Sequence, residues 1–488
     1  MLQNEVYERA RIARDHRFDG QFYVGVVTTG IYCRPICPAN APKRENVQFY
    51  QSAAAAGEAG FRPCLRCRPE CAPGTPAWSG TSTTVRRGLR LIANGALDEG
   101  NVEDLADRLG VTSRHLRRLF TTHIGASPIA VAHTQRLHFA KRLIDETTLP
   151  LSHISTAAGY GSVRRFNDTF RKTYGRTPRD LRKADDESDD SARNATLSVR
   201  LSCRQPFDWP SLMTFFSARV TPGVEAVVGD SYQRTLRIDD KHAIVDVRPD
   251  AKAGFLLLTL YSVNTTALFE TVQRAREVFD LDAPVADIAS VLGSDAVLKK
   301  SLKAHPGIRV PGAWDGFELT IRAILGQQIS VKAATTLAGR IAARYGEPLN
   351  HSAAHNGGLK FLFPTALRLS RARFNDIGLV SSRAETLRRV ASAVVRGELQ
   401  FDIAKDPDEI CTTLKLIKGV GDWTAQYVAM RALKNPDAFP ASDLGLLKAL
   451  KHPERVTPSE LFRHAEKWRP WRAYAAMHLW NSLPGSGG

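Results

Sequence analysis

The 488-residue chain carries a formal net charge of +17 and a sequence pI near 9.7. That length holds three or four cores, and that charge calls for a polyanionic partner. Nucleic acid fits better than a membrane, because apolar runs such as 255–260 fall far short of the roughly 18–20 residues a span needs. Residues 1–17 alternate in charge with no apolar signal core, so a cytoplasmic protein that meets no membrane is expected. Four of the seven cysteines have metal-ligand spacing and not a disulfide layout.

In chain order, residues 22–27 alternate enough for a strand, and Thr28-Thr29-Gly30 turns the chain into Cys33-Arg34-Pro35-Ile36-Cys37. A second pair, Cys64-Leu65-Arg66-Cys67, follows after 26 residues. Two short-spaced pairs so separated can close a tetrahedral Zn²⁺ site, and on spacing alone a purely structural zinc ribbon fits. Cys71 is set aside as a bystander. The surrounding residues say more. Ile31-Tyr32-Cys33-Arg34-Pro35, Arg44-Glu45-Asn46-Val47 and Gly60-Phe61-Arg62-Pro63-Cys64 resemble the Ada-type methylphosphotriester acceptors. The resemblance implies a domain over 1–78, zinc held by Cys33, Cys37, Cys64 and Cys67, and Cys33 as the methyl acceptor. The chemistry is consistent, since zinc keeps sulfur as thiolate at neutral pH and a soft thiolate takes a methyl group well. Pro38-Ala39-Asn40-Ala41 stands where a basic DNA contact is expected, which leaves Arg44 or Arg66 for that role.

Two segments within 81–184 repeat a short helix, a glycine turn and a second helix. The first places Leu105, Leu109-Gly110, Leu116 and Phe120, and the second Ile154, Ala158-Gly159, Phe166 and Phe170. The second helices carry Arg114, Arg117 and Arg118 in one copy and Arg164 and Arg165 in the other, joined by a helical stretch over 129–145. A charge run is usually a solvated face, but two basic helices after two glycine turns read as groove-entering elements. The pair resembles the AraC-type DNA-binding domain, which implies a promoter operator and RNA polymerase as partners. The Pro-Cys-His-Arg methyltransferase motif that often ends Ada-type regulators does not occur in this sequence. An acidic linker over 185–194 follows instead and marks a seam between two machines.

Strand-like residues over 196–203, 232–238, 243–247 and 255–261 suggest a small α/β lobe over 195–284. From 285 to 488 the pattern is helical, with helices expected over 317–329, 331–345, 383–396 and 473–480. The fold class is therefore multidomain α+β. Within the helical part, 414–443 holds Gly419-Val420-Gly421 between two helices, with Asp443 after a Phe-Pro turn. Two glycines before a helix N-terminus let bare N–H groups approach an anion. This stretch resembles the helix-hairpin-helix DNA glycosylases, most closely the AlkA-type 3-methyladenine glycosylases, over roughly 195–484.

That resemblance implies Asp443 as the catalytic carboxylate and Trp423, Tyr427 and Trp480 as base-pocket aromatics. It implies Gln328 as the wedge in the minor groove, where the best-known member has an apolar Leu. Backbone N–H groups of Gly419, Gly421 and Thr424 would meet phosphate, and carbonyls of Lys415, Ile417 and Val420 would hold a monovalent cation. Bifunctional members place a Schiff-base lysine just after the hairpin, where this chain has Asp422-Trp423, so a monofunctional enzyme is expected. An alkylated purine is cationic, and aromatic faces attract a desolvated cation by roughly 1–2 kcal/mol per ring. The expected whole is a monomeric DNA-3-methyladenine glycosylase fused to a zinc methyl acceptor that switches a transcription activator. Two other readings stay open here: a regulator whose glycosylase lobe only binds DNA, and an enzyme with a purely structural zinc module.

Overall fold

A computed structural model describes residues 2–72, 83–98, 100–147, 149–182, 196–238, 241–251, 253–261, 268–349, 358–375, 377–401, 405–450 and 456–483. The acidic linker over 185–194 lies outside the described residues. In the first module α1 (Leu2–Ile12) and α2 (Ala53–Glu58) accompany a four-stranded sheet of order β3-β1-β2-β4. Strand β1 (Tyr23–Val26) pairs antiparallel with β2 (Ile31–Cys33) and β3 (Val47–Tyr50), while β4 (Arg62–Pro63) lies parallel to β2. Gly25 lets the Tyr50 ring close on β1, since a Cβ there would stand 2.7 Å from it.

Helices α3 (Thr83–Ala93), α4 (Val102–Arg108), α5 (Ser113–Ile124), α6 (Pro128–Glu146), α7 (Leu151–Ala157), α8 (Val163–Tyr174) and α9 (Pro178–Leu181) follow. The repeat read from the sequence is present. Gly110 and Gly159 turn each copy at φ 70 and 73. Thr112 and Ser162 cap the second helices, accepting from the N–H of His115 and Arg165.

The next lobe holds β5 (Thr196–Ser202), α10 (Trp209–Ser217), β6 (Glu225–Val228), β7 (Ser231–Ile238), β8 (Lys241–Pro249), β9 (Phe255–Tyr261) and α11 (Leu268–Val278). Its sheet runs β5-β9-β8-β7-β6 with every pairing antiparallel, so the lobe is α+β and not α/β. Strand β6 went unread because four residues ending in a solvated hairpin carry little period-2 signal.

The remaining helices are α12 (Val285–Leu292), α13 (Ala296–Ala304), α14 (Gly316–Leu325), α15 (Val331–Tyr345), α16 (Ala366–Ser370), α17 (Ser381–Val395), α18 (Pro407–Leu416), α19 (Asp422–Arg431), α20 (Leu444–Ala449), α21 (Pro458–Ala465) and α22 (Arg472–Asn481). Two corrections apply. A two-residue pairing of β10 (Glu347–Pro348) with β11 (Phe361–Leu362) interrupts the all-helical reading. The helix expected over 317–329 ends at Leu325 with Gly326 as its C-cap, and Gln328 beyond it takes φ 59, which no helix continues through. A buried ionic cluster fastens the lobe to these helices: Arg234 donates to Glu318 across 2.7 Å, and Arg322 to Glu225 across 2.8 Å.

The two halves on either side of the acidic run are also in direct contact. One hydrophobic cluster runs from Leu137, Phe139 and Phe166 of the helix-turn-helix pair into Val199, Leu258 and Val272 of the lobe. Phe139 packs edge-on against Phe269 at 4.8 Å. The backbone N–H of Arg200 donates to Glu146 across 3.1 Å, and Arg204 donates to the Asp19 carbonyl across 3.0 Å.

Candidate active site and metal centre

Strand β2 ends at Cys33, and the backbone turns at once so that Cys37 N–H donates to Arg34 O across 3.1 Å. Cys64 N–H donates to Tyr32 O across 3.0 Å, which brings the second pair against the first. The sulfurs of Cys33, Cys37, Cys64 and Cys67 all lie within 4.8 Å of one another. Four thiolate ligands at ~2.3 Å from a tetrahedral zinc stand just under 4 Å apart, so this donor set fits the ion. Cys64 and Cys67 are buried, whereas Cys33 and Cys37 are partly exposed. Cys71 is buried outside this cluster, with its thiol pushed up by desolvation. Arg34 belongs to the scaffold, since it donates to Asp19 and to Cys67 O. Of the two arginines considered for DNA contact, Arg44 donates to Val47 O and stacks over Phe49, while Arg66 is exposed between the paired cysteines.

On α5 and α8, Leu116, Phe120, Phe166 and Phe170 face the core. The opposite faces present Arg114, Arg117, Arg118, Arg164 and Arg165 to solvent. Arg117 is paired with Glu103 at 2.9 Å, and Arg118 lies 3.1 Å from His115 Nδ1.

The hairpin joins α18 to α19. Gly419 takes φ 97, and a Cβ there would stand 2.1 Å from Thr386 Oγ1, so folding itself demands glycine. Gly421 has ordinary backbone angles and nothing within 4 Å of an added Cβ. No packing constraint therefore explains that second glycine. It caps α19, whose first N–H groups have no helical acceptor. Thr424 is buried, and its Oγ1 accepts from Gln327 Nε2 across 2.9 Å. Only its main chain is left for the phosphate role expected of it. Gln327 also donates to Gly419 O across 3.1 Å, stitching the turn after α14 onto the hairpin. Next to it Gln328 is exposed in the left-handed region, a costly conformation for a side chain with a Cβ. Of the three carbonyls expected to hold a cation, that of Ile417 already accepts from Val420 N–H across 2.9 Å.

Beside the hairpin a cavity of about 1020 Å³ opens, lined by Trp423, Tyr427, Trp480, Asp443, Arg219 and Gln328 among others. Trp423 and Tyr427, one turn apart on α19, stack at 5.2 Å and 10°, and Trp480 meets Tyr427 edge-on at 6.4 Å. Asp443 Oδ2 accepts from Trp423 Nε1 across 2.8 Å, and Oδ1 accepts from Trp480 Nε1 across 2.9 Å. Oδ1 also accepts from Leu446 N–H across 3.0 Å, so the carboxylate caps α20. The four expected residues thus meet at one cavity wall. Gln327, Arg431 and Gly445 went unread. Arg431 donates to Tyr427 Oη across 2.8 Å. Burial raises the Tyr427 phenol, yet Arg431 and Arg219 beside it bring it below its ordinary value. A Cβ on Gly445 would stand 3.0 Å from Asp443 Oδ1 and 3.2 Å from the Trp480 ring. Only a tertiary contact distinguishes that glycine from any other.

Four domain families match in succession. They are the metal-binding domain of Ada over 7–70, a helix-turn-helix domain over 105–184, the AlkA N-terminal domain over 198–315, and the HhH-GPD superfamily of base excision DNA repair proteins over 321–470. A protein of Mycobacterium tuberculosis, "Probable bifunctional transcriptional activator/DNA repair enzyme AlkA", is 40% identical over 97% of this chain and 95% of its own length. DNA-3-methyladenine glycosylase 2 of Escherichia coli is 34% identical over 57% of this chain and 95% of its own length. The solved 3-methyladenine DNA glycosylase of Archaeoglobus fulgidus shares the fold, with a TM-score of 0.51 at 24% identity over 57% of this chain and 96% of that one. The chain belongs to the family of bifunctional Ada/AlkA-type transcriptional activator and DNA repair enzymes. Among the described residues no helix is long and apolar enough to cross a membrane.

Proposed function

We propose that the chain releases alkylated purines of the 3-methyladenine type from double-stranded DNA and takes methyl groups from phosphotriesters onto Cys33. The observation that carries the first activity is a carboxylate, Asp443, gripped by two indole N–H groups in the wall of an aromatic cavity. A flipped cationic base stacks among Trp423, Tyr427 and Trp480, and alkylation has already weakened its glycosidic bond. As the bond breaks, the sugar gains oxocarbenium character, and the fixed charge of Asp443 stabilises it and orients the attacking water. Gln328 fills the gap left in the stack. The main-chain N–H groups of Gly419, Gly421 and Thr424 take the phosphate, with a monovalent cation on the carbonyls of Lys415, Ile417 and Val420.

In the N-terminal module Cys33, Cys37, Cys64 and Cys67 would hold Zn²⁺, which keeps sulfur ionised at neutral pH. The partly exposed Cys33 Sγ attacks the methyl carbon. An S–C bond forms, the C–O bond breaks, and the phosphodiester leaves with the electron pair. The exposed arginines of α5 and α8 then read an operator and present the protein to RNA polymerase. Two assays run together test this: release of 3-methyladenine by the wild type and by Asp443→Asn, and mass spectrometry of the protein after incubation with methylated DNA. Excision by D443N at the wild-type rate, or methyl found elsewhere than on Cys33, would overturn the corresponding half.

A further inference from the structure

The loop that delivers Asp443 starts where α19 ends, and its first turn is held from outside the glycosylase half. Arg90, on α3, donates from Nη1 to Leu433 O across 2.8 Å and from Nη2 to Lys434 O across 3.1 Å. Lys434 sits at φ 54, a region that a residue with a Cβ enters at a cost. Its buried ammonium donates to Val310 O across 2.9 Å and lies 3.7 Å from Asp280. Beyond it, Asn435 N–H returns to Ala429 O, and Pro436 O accepts from Ala473 N–H, both at 2.9 Å. Asp437 pairs with Arg472 at 2.8 Å, and the chain reaches Asp443 six residues later. Those later anchors belong to the glycosylase half, whereas Arg90 comes from the other side of the acidic stretch.

We propose that Arg90 is a positioning residue for Asp443, so that the regulator half completes the active loop of the glycosylase. A planar fork suits the task. The last carbonyls after a helix carry the negative end of its dipole, and one guanidinium satisfies two of them at once. The placement of Arg90 is in turn set by the DNA-reading unit. A Cβ on Gly88 of α3 would stand 2.9 Å from the Phe120 ring of α5, so α3 and α5 pack with no space between them. A continuous line of contacts therefore joins α5 through α3 and Arg90 to the turn that starts the Asp443 loop.

This inference rests on the reading of Asp443 as the charge that stabilises the sugar. Its test uses full-length Arg90→Met and Arg90→Lys beside Asp443→Asn. The readouts are single-turnover base release at saturating DNA, affinity for abasic DNA, and amide exchange over 433–437. Release by R90M should fall about tenfold, because small misplacements of a reacting group are expensive, while affinity changes less than twofold. R90K puts one ammonium in place of a two-armed fork and should lose about threefold. Exchange over 433–437 should accelerate in both and stay slow in D443N. Wild-type release from either Arg90 variant, with D443N inactive, overturns the inference. An active D443N instead overturns the reading of Asp443. Exchange across α14 reports whether R90M is folded, and if it is not, R90K decides.

Discussion

The indole N–H of Trp423 donates to Asp443 Oδ2 across 2.8 Å, tying the helix that carries the stacked aromatics to the carboxylate. In the proposed reaction one residue has two tasks, a ring face for the base and a donor for the charge. Trp423→Phe keeps the ring and removes the donor. A hydrogen bond to a charged group is worth about 1.5–3 kcal/mol, so base release by W423F should fall roughly 10–100-fold. Asp443→Asn should lose at least 10²–10³-fold while still binding DNA. Both are read from single-turnover release of 3-methyladenine.

The two hairpin glycines should separate by phenotype. Gly419→Ala must place a methyl group 2.1 Å from Thr386 Oγ1 at φ 97, and should cost about 2–3 kcal/mol of stability. Gly421→Ala meets nothing within 4 Å and should unfold like the wild type. With the hairpin on phosphate as proposed, its methyl group would crowd that contact, and DNA affinity should drop about tenfold. Thermal unfolding and binding isotherms on the same preparations check both.

Asp422-Trp423 stands where a lysine nucleophile would sit, so the product should be an intact abasic site. Borohydride added during turnover should trap no protein–DNA adduct. Trapping that vanishes in Lys418→Ala would show that the exposed Lys418 acts as an amine nucleophile.

Methylation of Cys33 should strengthen operator binding. Zinc with four thiolates carries a formal charge of about −2, and one neutral thioether leaves about −1. At 4–8 Å from a phosphate and an effective dielectric near 20, that change is worth roughly 2–4 kcal/mol before screening. Salt reduces it to about 1–2 kcal/mol, roughly a tenfold gain in affinity. The full-length chain is the right material, because the helix-turn-helix pair shares its core with the next lobe. Cys33→Ser should show neither methyl uptake nor the gain, and equal affinities at low salt would rule the mechanism out.

Stability should fall on mild acidification. His478, 2% exposed on α22 beside Trp480, lies 2.9 Å from Ser301 Oγ, and burial brings its imidazole down to about 4. The unfolded chain binds a proton near 6.5 that the folded chain refuses until about 4. The unfolded state therefore holds more protons between those values, and folding weakens as pH falls through that window. The part of the loss at pH 5 relative to pH 7 that His478 contributes should be about 2 kcal/mol. His478→Gln should remove that share of the slope in the denaturant-midpoint profile, leaving the share of His138, whose imidazole burial brings down to about 3.

Much of this protein was legible in one dimension. Glycine turns at Gly110 and Gly159, paired cysteines, and a Gly-x-Gly between helices are local chemical demands, written where they act. Helix α15 was read to the residue because a 15-residue amphipathic stretch carries its own period. The candidate site was legible only as far as residue types go. Trp423 and Tyr427 one turn apart suit a core as well as a pocket, and the cavity beside them arises from α10, α14, α19 and α22 meeting. That Trp423 and Trp480 each hold one oxygen of Asp443, and that Gly445 must be small for it, depends on residues brought together across the chain. The acidic run at 185–194 lies outside the described residues, and the halves on either side of it pack directly against each other. Burial of Phe139 against Phe269, and of Arg90 against the end of α19, depends on which faces meet after folding. The sequence by itself determined the order of modules, the metal ligands' spacing and the residue types of the candidate chemistry, because those follow from local pattern. Tertiary structure alone decided that the helix-turn-helix pair and the lobe after it share a core and that an arginine of the regulator half holds the start of the Asp443 loop, because hydrophobic burial is non-directional and an arginine's carbonyl partners leave no mark in its own stretch of sequence.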